Sequence, residues 1–339
     1  MMKITKIAIV LFLLLSIASS GVANEDIFSM IRNGDIDGVK EIIEEIEDIN
    51  IRGRNEATPL HIAVRYGFAE IAELLVYASA DVNAFNRYGM TPLHYALLLR
   101  NDKEACNTDL FQNKVQVINF LLANDADVNA QDNAGITPLM VLSMLYRGKD
   151  TQLILYIWEV FSESYINLNV QDNDGLTALH WAALVGNENV VQILINAGAD
   201  VNIKTNNGAN ALWYAPAGGS LCIVLALLKL GVEVNVYAEG ITPLHVATGL
   251  GAINLFERLE GESFQENIKR LGFSEDIFLQ MTKALVEAGA DIYAQSENLR
   301  WYDRLMGRGT PYHTARFIGS TEVANYLRSV MERRWFWPF

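Results

Sequence analysis

Five histidines are the residues best suited to acid–base or metal chemistry in this 339-residue chain: His61, His94, His180, His245 and His313. Each could serve as a general base, or as the partner of a serine or cysteine nucleophile. Their spacing argues otherwise. All five occupy the fourth place of one recurring phrase. It reads Thr58-Pro59-Leu60-His61, then Thr91-Pro92-Leu93-His94, with Thr177-Ala178-Leu179-His180, Thr242-Pro243-Leu244-His245 and Thr310-Pro311-Tyr312-His313 further on. A zinc site needs ligands converging at about 2 Å, and successive copies of one slot lie a whole structural unit apart. The two cysteines, Cys106 and Cys222, are about three units apart and predict unpaired thiols. No Gly-Lys-Ser/Thr phosphate loop occurs, and Gly218-Gly219-Ser220 falls at a turn between helices. Carboxylate pairs such as Glu44-Glu45 and Glu47-Asp48 read as a solvated face. The expectation is no enzyme, no catalytic residues, no metal and no cofactor.

The elements that position these histidines repeat along the chain. Weaker copies of the phrase are Thr137-Pro138-Leu139-Met140 and Asn210-Ala211-Leu212-Trp213. A second phrase keeps the same register: Ala80-Asp81-Val82-Asn83, Ala126-Asp127-Val128-Asn129, Ala199-Asp200-Val201-Asn202 and Ala290-Asp291-Ile292. In each unit Thr caps a helix N-terminus and Pro sits at the first helical position, where a missing N–H costs nothing. Leu93, Ala96 and Leu97 share one helical face. Asp81, Asn83, Asn86 and Gly89 supply turn chemistry for a protruding hairpin. One such unit cannot bury its apolar face alone, so stacking into one continuous array is required.

Two phrases in one register resemble the ankyrin repeat. The resemblance covers roughly residues 50–330 in seven units and implies an all-α solenoid of helix-turn-helix units with β-hairpin fingers. It also implies that each histidine ties its own turn to the neighbouring unit. Residues 24–49 are expected to be an N-terminal capping repeat without the Thr-Pro-Leu-His phrase. The threonine slots are spaced 33, 46, 40, 33, 32 and 68 residues apart. Insertions are therefore expected near 101–113, 147–152, 253–275 and 297–307. They are either binding loops or tolerated drift in length.

Residues 1–23 read as a secretory signal peptide: Lys3 and Lys6, an apolar run from Ile7 to Ala18, and small residues Gly21 and Ala23 before Asn24. A run of 12 residues is short of the roughly 20 needed to span a bilayer. No stable membrane span is expected after cleavage, and the destination expected is the periplasm, with the extracellular space as the alternative. A net charge of −14 disfavours nucleic acid as a partner. The aromatic tail 331–339 either caps the last repeat or meets a membrane or partner.

The resemblance implies that the fingers and the first helices bind a partner protein. The matching positions are Arg65, Tyr66, Arg87, Tyr88, Met90, Tyr95, Leu98, Leu99, Met144, Trp181, Leu184 and Tyr214. Tyr, Trp and Arg are frequent binding hot spots. The alternative for Tyr95, Leu98 and Trp181 is packing between neighbouring helices. The function expected is a non-enzymatic interaction module of the bacterial cell envelope, its partner unidentified. A secreted effector aimed at a host protein, or an enzyme seated in the insertions, is the alternative.

Overall fold

A computed structural model describes residues 27–98, 108–145, 151–250, 273–296 and 309–336. The expected insertions therefore lie largely outside the described residues, as do Cys106, Leu99 and the stretch read as a signal peptide. The described residues are helical, with no strand among them beyond a single bridge between Ala238 and Ile241. The fingers are tight hydrogen-bonded loops rather than ladders. The chain divides into two compact units at Asn173/Asp174.

In unit one, helices α1 (Ile27–Asn33), α3 (Pro59–Tyr66), α5 (Pro92–Leu97) and α7 (Pro138–Leu145) form an inner row. Helices α2 (Ile36–Glu45), α4 (Ala69–Tyr77), α6 (Thr108–Ala123) and α8 (Thr151–Ser162) form the outer row. The core lies between the rows and is made of Leu60, Leu75, Leu93, Ile118, Leu121 and Phe161. Unit two repeats the plan. Its inner row is α9 (Ala178–Val185), α11 (Ala211–Tyr214), α13 (Pro243–His245) and α15 (Pro311–Ile318). Its outer row is α10 (Glu188–Asn196), α12 (Leu221–Lys229), α14 (Glu275–Glu287) and α16 (Thr321–Phe336). α13 continues as a π-helical turn, Val246–Leu250, with Gly249 inside it at φ 102°. The C-terminal helix runs through Trp335 and Phe336.

Local chemistry sets the ends of these helices. Thr58 takes the N-cap of α3, Pro59 follows, and Gly67 closes the helix in the left-handed region at φ 74°. α5 ends without a glycine: Leu98 turns the chain extended, leaving terminal carbonyls to satisfy. Lys114 of α6 does this. Its buried Nζ donates to the Ala96 carbonyl at 2.9 Å and the Leu98 carbonyl at 2.6 Å. A cation at a helix C-terminus also meets the negative end of its dipole.

The second phrase, which leads into each finger, builds a ladder between successive repeats. Asn50 Nδ2 donates to the Ser79 carbonyl and its Oδ1 accepts from Asp81 N–H. Asn83 makes the same pair with Asp125 and Asp127, Asn129 with Tyr165 and Asn167, and Asn235 with Gly289 and Asp291. One amide thus satisfies one donor and one acceptor of the next repeat.

Candidate functional site

Each finger is folded by its own polar residue. Asn86 Oδ1 accepts from the N–H groups of Tyr88 at 2.8 Å and Met90 at 3.0 Å, and Asn86 N–H donates to the Met90 carbonyl. Gly89 makes the turn at φ 76°. A Cβ there would lie 2.6 Å from the Asn133 backbone nitrogen, so only glycine fits. Asp132 does the same for the next finger, accepting from Ala134 and Ile136.

The fingertips are then linked through backbone. Arg87 N–H donates to the Asn55 carbonyl, Asn133 N–H to Tyr88, and Asn173 N–H to Ala134. The side-chain amides of Asn133 and Asn173 add bonds to the Arg87 and Asn133 carbonyls. In unit two Asn206 N–H donates to the Asp174 carbonyl. A finger surface held this way is pre-organised, which lowers the ordering cost of binding.

The histidines fasten the fingers to the inner helices. His61 Nδ1 accepts from Thr58 N–H at 3.1 Å and lies 2.8 Å from the Thr58 hydroxyl. Its proton is therefore on Nε2, which donates to the Met90 carbonyl at 3.0 Å. His94 repeats this with Thr91 and Ile136, and His245 with Thr242 and Gly309. His180 makes the Thr177 contacts, but its Nε2 faces the Ile203 and Ala209 carbonyls without a bond of good geometry to either. Burial holds the pKa of all four down to about 4, with the neighbouring backbone carbonyls opposing the shift. Both nitrogens of His61, His94 and His245 are thus committed to the scaffold. His313, in the last repeat, keeps the Thr310 contact but is exposed.

Trp213 stands in the histidine slot of repeat five and takes over its task. Its Nε1 donates to the Ile241 carbonyl at 3.2 Å, and Asn210 replaces the threonine cap. The sequence hint was an indole N–H where an imidazole N–H is expected. Met140, in the same slot of the last repeat of unit one, carries no such donor.

The residues expected to bind a partner separate by exposure. Arg87 is exposed at a fingertip; Tyr88 and Met90 of the same finger are half-buried, as are Tyr66 and Met144. Tyr66 stacks on Phe68 at 5.7 Å. Arg65, Tyr95, Leu98, Trp181, Leu184 and Tyr214 are enclosed by the protein itself. The Arg65 guanidinium sits 5.9 Å from the Tyr95 ring centre, and the Tyr95 hydroxyl accepts from Asn86 Nδ2. Burial, first, raises the Tyr95 pKa. Leu99 lies outside the described residues. The structure brings Arg87, Tyr88, Met90, Tyr95 and Arg65 into one cluster, through Asn86 and the first two fingers. Sequence reasoning passed over Arg52 and Phe85. Arg52 Nη1 donates to the Glu56 carbonyl at 3.2 Å and also to the Phe85 carbonyl, and Phe85 is half exposed.

Among the described residues no cluster of three His, Cys, Asp or Glu side chains gathers to hold a metal, and no helix is long and apolar enough to cross a membrane. Cys222 is a free, exposed thiol beside Glu188.

A family model described as ankyrin repeats in three copies matches residues 27–108 and 105–205, just over half of the chain. Neurogenic locus notch homolog protein 1 of Cricetulus griseus is 33% identical over 153 residues, which is 44% of this chain and 5% of that protein. The Homo sapiens protein of the same name is 32% identical over 153 residues, again 44% of this chain and 5% of its own length. Serine/threonine-protein kinase 12 of Arabidopsis thaliana is 38% identical over 68 residues, 20% of this chain and 15% of that protein. The chain thus spans only a small part of each of these relatives.

Proposed function

The chain belongs to the ankyrin-repeat family, a protein-interaction fold, and from that premise we propose a non-enzymatic module of the bacterial cell envelope that grips a partner protein. The contact surface is the finger row with the adjoining inner helices. The observation that carries this reading is the rigid finger surface: fingertips cross-linked through backbone at Asn55–Arg87, Tyr88–Asn133 and Ala134–Asn173. Such a surface costs little to order when a partner arrives. A non-enzymatic role is supported by the histidines. His61, His94 and His245 have both ring nitrogens engaged and are held neutral by burial, which leaves them unable to shuttle protons near pH 7.

Export rests on the pattern of residues 1–23. The test is affinity capture of the full chain, tagged at its C-terminus, from crosslinked envelope extracts. One protein recovered in stoichiometric amount, on a chain whose N-terminus has become Asn24, is the expected result. Retention of residues 1–23 on a cytoplasmic chain removes the envelope assignment, and capture of no protein removes the binding role.

A further inference from the structure

One position of the repeat reaches forward to its neighbour. It lies four residues after the acid that opens the second phrase, where each finger begins. In repeat one it is Arg52, whose Nη1 donates to the Phe85 carbonyl of repeat two. In repeat three it is Gln131, whose Nε2 donates to the Gln171 carbonyl of repeat four at 3.0 Å. In repeat five it is Lys204, whose Nζ donates to Glu233 Oε2 of repeat six at 2.6 Å. Each of the three extends N–H donors on a flexible stem, and the neighbour supplies the acceptor. Glu233 is itself the acid that opens the second phrase of its repeat.

Repeat six breaks this pattern. Its position holds Tyr237, 40% exposed, which has neither a cation nor an amide to extend. A cleft of about 360 Å³ opens there, lined by Asn235, Tyr237, Thr242, Asp291, Ala294 and Gln295. Asp291 is the counterpart of Glu233, the exposed acid that opens the second phrase of repeat seven. Its Oδ1 accepts from Tyr293 N–H at 2.9 Å, and no Lys, Arg or His pairs with it among the described residues. Gln295 is the counterpart of Phe85 and Gln171, whose carbonyls accept from Arg52 and Gln131. The Asn235 amide is already committed to the Gly289 carbonyl and Asp291 N–H. The place that a lysine fills one repeat earlier thus keeps its carboxylate, lacks its cation and gains an aromatic wall. Its surroundings favour positive charge. Residues 199–209, 232–241 and 290–296 carry Asp200, Glu233, Glu239 and Asp291 against Lys204, which is already paired.

We infer that the cleft between repeats six and seven is a receptor for a lysine side chain of the partner protein, its ammonium on the Asp291 carboxylate and its stem against the Tyr237 ring. This rests on the proposed binding role and adds the chemistry of the partner. An ammonium on a carboxylate makes a charge-assisted hydrogen bond, and an aromatic face beside it adds further attraction. The Lys204–Glu233 pair is the same contact made within the chain. A polypeptide carries the lysine better than a free amine does, because the fingers beside the cleft give its chain a surface to lie on.

The test is fluorescence anisotropy of the full chain with a labelled dodecapeptide bearing two lysines in a Gly-Ser background. Its counterparts carry acetyl-lysine or glutamate at the same places. The lysine peptide is expected to bind, less tightly as salt is raised, and the counterparts at least tenfold more weakly. Asp291→Asn keeps an acceptor for Tyr293 N–H but removes the charge. It should weaken binding at least fivefold while circular dichroism and urea midpoint stay unchanged. Tyr237→Lys copies repeat five, sets the chain's own ammonium in the cleft and should abolish binding. Asp200→Asn removes the same charge from the second phrase of repeat five and should change affinity less than twofold. Putrescine, a free diamine, should compete at least tenfold less well than unlabelled peptide. Failure of the lysine peptide to bind, or equal binding by the acetylated peptide, by Asp291→Asn or by Tyr237→Lys, overturns the inference. So does an equal loss in Asp200→Asn, or equal competition by putrescine. A stoichiometric envelope partner captured equally well by Tyr237→Lys would leave the binding role standing and this inference refuted.

Discussion

The two units use the same linking positions with different side chains. In unit one, His61 and His94 join their helices to the next finger through Nε2. In unit two, His245 does so, but repeat five uses Trp213 Nε1 with Asn210 as the cap. The asparagine ladder runs through Asn50, Asn83 and Asn129 in unit one. In unit two Asn235 makes the paired bonds, whereas the exposed Asn202 makes no such bridge among the described residues. The fingers differ in charge as well. The first two of unit one carry Arg52, Arg54 and Arg87 with Glu56, and the third carries Asp132. Those of unit two carry Asp174 and Glu239, with Lys204 bound to Glu233. The lesson is that the fold demands a donor at a place, not a particular residue. The surface charge of a finger is not set by that demand.

Acid should break the shared part of this comparison most strongly. Each buried histidine titrates near 6.5 when unfolded and at about 4 when folded. Between those values the unfolded chain binds more protons, so stability is fully present above pH 6.5 and is lost as pH falls toward 4. Each site contributes up to about 3 kcal/mol. Urea midpoints measured from pH 7.5 to 4.5 should fall steeply. Hydrogen exchange at pH 5 should lose protection around His94 before it does around Trp213, whose indole does not titrate. A flat pH profile would mean the imidazoles are not held neutral by the fold.

Lys114→Met should come next, costing roughly 2–3 kcal/mol because the Ala96 and Leu98 carbonyls lose their buried donor. Loss of exchange protection should centre on α5 in unit one. A variant as stable as the parent would show that water can replace the ammonium.

A matched pair sharpens the contrast between the ladders. Asn83→Ala removes two inter-repeat bonds and should cost about 1–2 kcal/mol. Asn202→Ala should fall within about 0.5 kcal/mol of the parent. Equal effects would mean the ladder contributes by position rather than by its bonds.

The smallest effect expected is Trp213→Phe, which keeps an aromatic ring but deletes the Nε1 donor to Ile241, at about 1 kcal/mol. Trp213→His should recover that loss at pH 7.5. It should also make repeat five acid-sensitive, read from hydrogen exchange of α11.

The helix caps, the finger turns and the histidine slot were legible because they are local. Thr-Pro-Leu-His places a cap, a helix start and an inward ring within four residues. Asn86 and Gly89 define a turn without reference to anything distant. The candidate site was only partly legible. Tyr95, Trp181 and Tyr214 read as an aromatic stripe, yet they are enclosed, and what encloses them comes from elsewhere in the chain. Arg52 and Phe85 lie 33 residues apart, and their meeting is invisible in either stretch alone.

Period and spacing alone fixed the repeat, its two-layer helix pairs and the positions that must donate hydrogen bonds, because those follow from contacts within one unit and its copy. Tertiary structure decided the rest: which aromatics are enclosed, that Lys114 replaces a glycine cap, and that Trp213 stands in for histidine. These depend on which residues distant in the chain come within a few ångströms, and burial and charge are properties of that neighbourhood rather than of any residue by itself.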